Sequence, residues 1–205
     1  MADPSAPLNE SDVDLDPVRQ FARWFDEANA AGVHAPEAAA VATATSDGAP
    51  SVRMVLVKQF DPRGFVFFTN YESRKADELT ANPRAALLFH WDALGRQVRL
   101  EGPVERVSAE ETAAYARSRP RPSQLSALAS PQSRVVDSRA ELEQRVAELS
   151  ARYDGVALPA PGNWGGFRLA PVVFEFWQHR ADRLHDRLRY VPADDSGWRI
   201  ARLAP

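Results

Sequence analysis

Ser51-Val-Arg-Met-Val-Leu-Val-Lys-Gln-Phe60, then Asp61-Pro-Arg-Gly64, then Phe65-Val-Phe-Phe-Thr69 is the stretch on which the fold turns. The first segment is dominated by apolar and β-branched residues, the tetrapeptide has the composition of a tight turn, and the third segment is apolar and aromatic. That is a hairpin. Upstream, residues 40–45 and an Asp47-Gly48 turn add a strand. Downstream, a short helix over 73–81 ends at Asn82-Pro83, and strands resume at 85–91 and 97–107. Five strands in sequence with short connections predict a small antiparallel barrel: mainly β with peripheral helices, an α+β chain in a single domain.

The rest of the chain decorates that barrel. Residues 1–15 are polar, acidic and Pro-containing, which predicts a loose N-terminal arm ahead of a domain over 16–205. Asp16 caps a helix with Pro17 in first position, and Val18, Phe21, Phe25 and Ala28 recur at helical spacing up to Gly32. Ser108 to Glu111 and Ser138 to Glu141 are capping boxes, and the helix opened by the second carries Leu142, Val146 and Leu149 on one face. Residues 119–124 and 129–133 read as a polar connection, and residues 156–163 as a Pro-rich loop. Strands follow at 167–169, 172–177, 183–190 and 198–203, the last two joined by a turn over 194–197.

Composition removes several function classes. The chain has 205 residues, 44% hydrophobic and 26% charged, which is globular composition. With no cysteine there is no disulfide, thiolate metal site or thiol nucleophile, and four scattered histidines offer no zinc spacing, so no metal is expected. A net charge of −3 gives no field for nucleic acid. No apolar run reaches membrane length and no basic-then-apolar leader opens the chain, which predicts a soluble, cytoplasmic protein without membrane contact. Only Lys58 and Lys75 among the 25 basic residues are lysines, so a lysine is the more informative cation here.

Cations gather in a few places. On a strand over 183–190, Arg183, His185, Arg187 and Arg189 share one face and Leu184, Leu188 and Tyr190 the other. The row suits an anionic aromatic ligand, or is a half-exposed face of solvated arginines. Arg53 and Lys58 end one strand and fall on opposite faces by period two, so, if both are functional, they serve different groups or different ligands. Arg74-Lys75 opens a helix where free N–H groups favour an anion, and is otherwise a solvated helix start. Tyr115 and Arg119, four apart, share a face, with Ser123 following in a Pro-braced segment, a second anion clamp. Gln97, Gln132 and Ser133 are neutral groups that can read heterocycle edges or simply face solvent, and Trp177 is either core or a ligand wall. Two anion clamps with aromatics point to a phosphorylated cofactor and a phosphorylated substrate. Without a Gly-x-Gly-x-x-Gly or Walker loop, a mononucleotide such as FMN fits a small barrel better than a dinucleotide.

The order of motifs resembles the pyridoxamine 5′-phosphate oxidase family. Arg53-Met-Val-Leu-Val-Lys58, Phe68-Thr-Asn-Tyr-Glu-Ser-Arg-Lys75, Arg96-Gln-Val-Arg99, Ser118-Arg-Pro-Arg-Pro-Ser-Gln124, Ala129-Ser-Pro-Gln-Ser133, Glu175-Phe-Trp177 and Arg183-Leu-His-Asp-Arg187 carry the resemblance, which runs from about Leu15 to Pro205. It implies an FMN-binding split barrel, a homodimer with FMN at the interface, and oxidation of pyridoxamine or pyridoxine 5′-phosphate by O2 to pyridoxal 5′-phosphate, releasing hydrogen peroxide and, from the amine, ammonia. It assigns FMN to Arg53, Met54, Val55, Lys58, Phe68, Thr69, Arg74, Lys75, Gln97, Gln132, Ser133, Trp177 and Arg187. Substrate phosphate falls to Lys58, Tyr115, Arg119 and Ser123, and the pyridine ring to Arg183 and His185 as catalytic-site residues that position it. Three departures stand out: no Arg or Tyr precedes Arg19, where the family often has Arg-Arg-x-Tyr, Phe68 replaces a frequent tyrosine, and Ser126 and Leu128 replace a common Gly and Trp. The scaffold is shared by flavin oxidases of phenazine biosynthesis, and a non-enzymatic binder of flavin or pyridoxal phosphate is the reading from another class.

Overall fold

The structure, a computed structural model, describes residues 6–194 and 197–205. Nine strands form one sheet: β1 (Ala38–Ala44), β2 (Pro50–Asp61), β3 (Gly64–Asn70), β4 (Arg84–Trp91), β5 (Arg96–Arg106), β6 (Trp164–Leu169), β7 (Val173–Gln178), β8 (Asp186–Pro192) and β9 (Trp198–Arg202). Five helices accompany them: α1 (Pro17–Ala30), α2 (Arg74–Ala81), α3 (Ala109–Ser118), α4 (Arg121–Ala129) and α5 (Arg139–Arg152). The order β4-β1-β2-β3-β6-β5 closes on itself through β4–β5 pairing, giving a six-stranded barrel. β5 makes the split: residues 96–101 pair with β7, whereas residues 104–106 pair with β6, so β7, β8 and β9 leave the barrel as a wing.

The hairpin read first is β2–β3. Gly64 closes it at φ 135, where a Cβ would lie 2.1 Å from the Leu169 carbonyl oxygen, so only glycine passes the neighbouring strand. β2 alternates as period two demands, with Arg53, Val55 and Val57 inward and Val52, Met54 and Leu56 outward and exposed. α1 plugs the barrel. Asp16 accepts the Val18 N–H at 2.8 Å, and Phe21 and Trp24 are fully buried, Phe21 meeting Phe65 and Phe89 edge-on at 4.8 and 4.9 Å.

Four sequence expectations change. The strand predicted over 183–190 begins only at Asp186: residues 181–183 form a 3-10 turn in which Asp182 and Arg183 take positive φ, and Leu184 is exposed. The alternation survives over 187–190, where Leu188 and Tyr190 are buried and Arg187 and Arg189 face away. The polar connection contains α4, because prolines are tolerated in a first helical turn and Leu125 and Ala129, four apart, bury against the fold. The segment predicted to be a loose arm is packed from Leu8: Leu8 and Val13 are buried, Leu8 N–H donates to Asp186, and Tyr190 donates its hydroxyl to the Asp14 carbonyl. The second capping box is half formed, since Ser138 accepts from Glu141 N–H but the Glu141 carboxylate accepts from Asp137 N–H instead. Of the arm, residues 1–5 lie outside the described residues, as do Asp195 and Ser196 of the turn over 194–197.

Candidate functional site

β3 and β6 lie side by side with Phe68 opposite Gly166, and α3 crosses above them. The missing side chains at Gly165 and Gly166 let aromatic rings approach: a Cβ on Gly166 would come within 2.9 Å of the Phe68 ring. Phe68 stacks on Tyr115 at 3.9 Å and on Trp164 at 5.4 Å, while the Arg119 guanidinium sits 4.7 Å from the Trp164 ring. These residues wall a cleft of about 350 Å³ whose rim also carries Lys58, Thr69 and Gln132. Six of the sequence candidates therefore converge: Lys58, Phe68, Thr69, Tyr115, Arg119 and Gln132. Burial pushes the Arg119 guanidinium below its ordinary value, with Tyr115 opposing, yet an arginine stays charged.

Beside the cleft lies the Arg-Lys helix start. Lys75 is buried, and its ammonium donates to Thr69 Oγ1 at 2.8 Å, Gln132 Oε1 at 2.7 Å and Ser73 Oγ at 3.3 Å, all neutral oxygens. Among the described residues it has no carboxylate partner. Burial, with the Arg53 charge adding to it, brings its pKa from 10.5 down to about 8. Arg53 reaches inward to Thr43, Ser51 and Glu78, and Arg74 holds Glu78 at 2.8 Å. Lys58, on the other face of β2 as period two required, pairs with Glu37 at 3.0 Å. Val55 packs on the core, Met54 points outward, and Ser133 takes φ 69 next to Gln132.

A second cluster forms on the wing. Register sets Gln97 opposite Trp177 and Trp177 opposite Arg187, so the three stand in one row across β5, β7 and β8. The next row is Arg99, Glu175 and Arg189. Gln97, Trp177, His185 and Arg187 line a pocket of about 260 Å³, with the rings of Trp177 and His185 4.6 Å apart. Glu175 is buried and binds both Arg187 and Arg99, and those bonds hold its carboxyl below the ordinary range against the opposing effect of burial. His185 Nδ1 accepts the Arg180 backbone N–H at 3.1 Å, which leaves Nε2 to carry the proton of the neutral ring. The two pockets share no lining residue. Arg183, exposed on its 3-10 turn, and Ser123, in the first turn of α4, line neither.

The sequence profile described as pyridoxamine 5′-phosphate oxidase matches residues 25–153, and the one described as the pyridoxine 5′-phosphate oxidase C-terminal dimerisation region matches residues 164–205. A pyridoxine/pyridoxamine 5′-phosphate oxidase of Rubrobacter xylanophilus is 56% identical over 98% of this chain and 92% of its own. The chain belongs to the pyridoxamine 5′-phosphate oxidase family. Another member of the family, from Bordetella petrii, is 57% identical over 97% of this chain and 93% of its own. Among solved structures, PhzG from Burkholderia lata 383, in complex with tetrahydrophenazine-1-carboxylic acid, superposes with a TM-score of 0.91 at 36% identity, covering 99% of this chain and all of that one. The match to the dimerisation region covers the barrel strand β6 and the whole wing, β7 to β9, so the family's dimerisation segment includes the wing that carries most of the second cluster.

Sequence reasoning passed over Trp164 and the acids Glu37, Glu78 and Glu175. A tryptophan followed by two glycines inside a strand was the available signal for the first. Glu78, four residues after Arg74 on a predicted helix, and Glu175, inside the Glu175-Phe-Trp177 motif, each had a local signal, but Glu37 had none, and only the fold brings Glu78 to Arg53 and Glu175 to Arg99.

Proposed function

We propose that this protein oxidises pyridoxamine 5′-phosphate and pyridoxine 5′-phosphate to pyridoxal 5′-phosphate, with FMN as cofactor and O2 as acceptor, in a homodimer. The observation that carries it is the Lys75 ammonium, buried among neutral oxygens beside a cleft on whose rim stand Lys58, Tyr115 and Arg119. A buried cation lacking an acid partner fits an incoming anion, and that is the fit FMN requires of the residues present.

Arg53, Arg74 and Lys75 would hold the FMN phosphate, with Thr69, Gln132 and Ser133 beside it. Gln97, Trp177 and Arg187 would face the ring system. Because Thr69 and Gln132 line the first pocket and Gln97, Trp177 and Arg187 the second, with no residue in common, the first pocket of one protomer would join the second pocket of its partner. Lys58, Tyr115 and Arg119 would bind the substrate phosphate from the cleft, and Ser123, which lies outside the cleft lining, joins them on likeness to the family alone; an ammonium, a guanidinium and a hydroxyl fix the phosphate at several points and limit rotation of the substrate. When bound, FMN would supply the two-electron oxidation at C4′, with O2 as the final acceptor. Arg183 and His185 orient the pyridine ring: the Arg180 amide fixes the His185 tautomer, so the neutral ring offers Nε2–H as a donor and does not present a base there. The tricyclic carboxylate held by PhzG carries no phosphate, so the convergence of Lys58, Tyr115 and Arg119 favours a B6 phosphate over that class.

The test is anaerobic mixing of FMN-loaded protein with pyridoxamine 5′-phosphate while the flavin band is followed. Bleaching, reversed by air with pyridoxal 5′-phosphate formed, is the expected result. Flavin that stays oxidised with both B6 phosphates but is bleached by a reduced phenazine carboxylate would replace this reading with the other.

A further inference from the structure

Glu78 is a buried carboxylate on α2 that touches no part of the cleft lining, and yet four groups converge on it. Its Oε1 accepts from Arg74 Nε at 2.8 Å. Its Oε2 accepts from Ser51 Oγ at 2.5 Å, from Arg53 Nη2 at 3.3 Å and from the Thr43 hydroxyl. Arg53 in turn donates to Thr43 and Ser51, so β1, β2 and α2 are tied through one acid. Hydrogen bonds from Ser51, Thr43, Arg74 and Arg53 outweigh burial and bring its pKa down to about 2. The acid is therefore charged wherever the protein is folded near neutrality.

We propose that Glu78 is a positioning residue for the cofactor phosphate, setting the directions of Arg53 and Arg74 while leaving Lys75 without a counter-charge. This rests on the reading of the site as an FMN site. Arg74 has a side chain 65% exposed, and its i,i+4 contact with Glu78 is what fixes the direction of an otherwise solvated guanidinium. Arg53 is held by Thr43, Ser51 and Glu78 together, and the carboxylate offsets the repulsion between its guanidinium and the Lys75 ammonium. Arg53 and Arg74 on Glu78, together with Lys75, sum to about two positive units, opposite in sign and close in size to a phosphate dianion. Removing the acid has two opposite consequences. The clamp gains one unit of charge, which favours phosphate, and loses the fixed directions of two guanidinium forks, which disfavours it. Directed, partly desolvated hydrogen bonds to phosphate depend steeply on geometry, and without the acid two guanidinium forks lose their fixed directions, so loss of position is expected to outweigh the unit of charge gained.

The experiment compares FMN with riboflavin, which has the same ring and no phosphate, by quenching of flavin fluorescence on the apoprotein. Glu78→Gln is expected to weaken FMN about tenfold, about 1.4 kcal/mol, and to leave riboflavin unchanged. Equal or tighter FMN binding by a folded Glu78→Gln protein overturns the proposal, since the acid would then be a bystander or a competing anion. Parallel loss of both flavins overturns it as well, because that is the mark of general structural damage. A wild-type protein that does not prefer FMN to riboflavin overturns the phosphate site itself, and the role of Glu78 with it. Where Glu78→Gln does not fold, Ser51→Ala removes one bond to Glu78 and one to Arg53; FMN is then expected to weaken about threefold with riboflavin unaffected, and unchanged FMN affinity overturns the proposal.

Discussion

Arg187 reaches diagonally across the β7–β8 pair to Glu175, with Nε 2.8 Å from Oε1 and Nη2 3.2 Å from Oε2. This fork places the guanidinium beside Trp177, its register partner. Arg99 holds the same carboxylate from β5, so one buried acid fixes cations from both neighbouring strands. Glu175→Gln leaves two guanidinium groups around an uncharged amide. Since both arginines are partly exposed, the cost is expected below that of a fully buried pair, about 2 kcal/mol, or a Tm lower by about 4–8 °C. Calorimetry of the flavin-free protein checks it. An unchanged Tm would show that solvent already compensates the two cations.

Lys58 is half-buried and spends its charge on Glu37 at 3.0 Å. A substrate phosphate must share or displace that partner. Glu37→Gln is expected to lower KM for pyridoxamine 5′-phosphate about threefold with kcat unchanged, the size of a partly exposed ion pair. Steady-state kinetics at fixed ionic strength tests this. A raised KM would mean that Glu37 holds Lys58 in place for the phosphate.

The aromatic wall depends on what Gly166 lacks. A Cβ there would stand 2.7 Å from a Val107 methyl carbon and 2.9 Å from the Phe68 ring, which itself lies 3.9 Å from Tyr115. Gly166→Ala is expected to cost about 1–3 kcal/mol by overpacking and to displace Phe68 against Tyr115. Thermal unfolding gives the first effect, and a raised KM for the phosphorylated substrate the second. Normal stability together with normal KM would mean that Val107 alone yields.

The barrel was legible because its signals are local. β2–β3 declares itself by period two and by a turn whose glycine must take positive φ, and α1 by Asp16, Pro17 and a helical apolar stripe. α4 was missed because two prolines outweighed the Leu125–Ala129 spacing, although a proline in the first turn costs a helix little. The start of β8 was missed because alternating charge continues through Arg183 and His185 in the sequence, while the backbone turns at Asp182 and Arg183 through positive φ, for which those side chains give no local cue. At the site, cations were legible as residue types and Arg74–Glu78 as a helical i,i+4 pair, but the longer acid contacts were not: Glu78 meets Arg53 across 25 residues and Glu175 meets Arg99 across 76. The split of the site into two pockets belongs to the sheet's closure and lay beyond any window of sequence.

Lys75 predicts a pH dependence of opposite sign for the free and the flavin-bound protein. Its folded-state pKa of about 8 lies below the ordinary 10.5, so between those values the unfolded chain binds more protons than the folded one. The contribution of Lys75 to stability of the flavin-free protein therefore rises from pH 8 to pH 10.5, and below pH 8 the buried charge lowers stability. A bound phosphate reverses this, because it stabilises the ammonium and raises its pKa. FMN affinity is expected to be flat below about pH 8 and then to fall by at most about tenfold per unit as Lys75 loses its proton in the free protein. Riboflavin affinity should not follow that curve, and Lys75→Met should bind FMN weakly at every pH with the slope abolished. Fluorescence titrations from pH 7 to the alkaline limit of folding decide the matter. The same slope in Lys75→Met would assign the titration to another group and leave the buried ammonium no part in holding the phosphate.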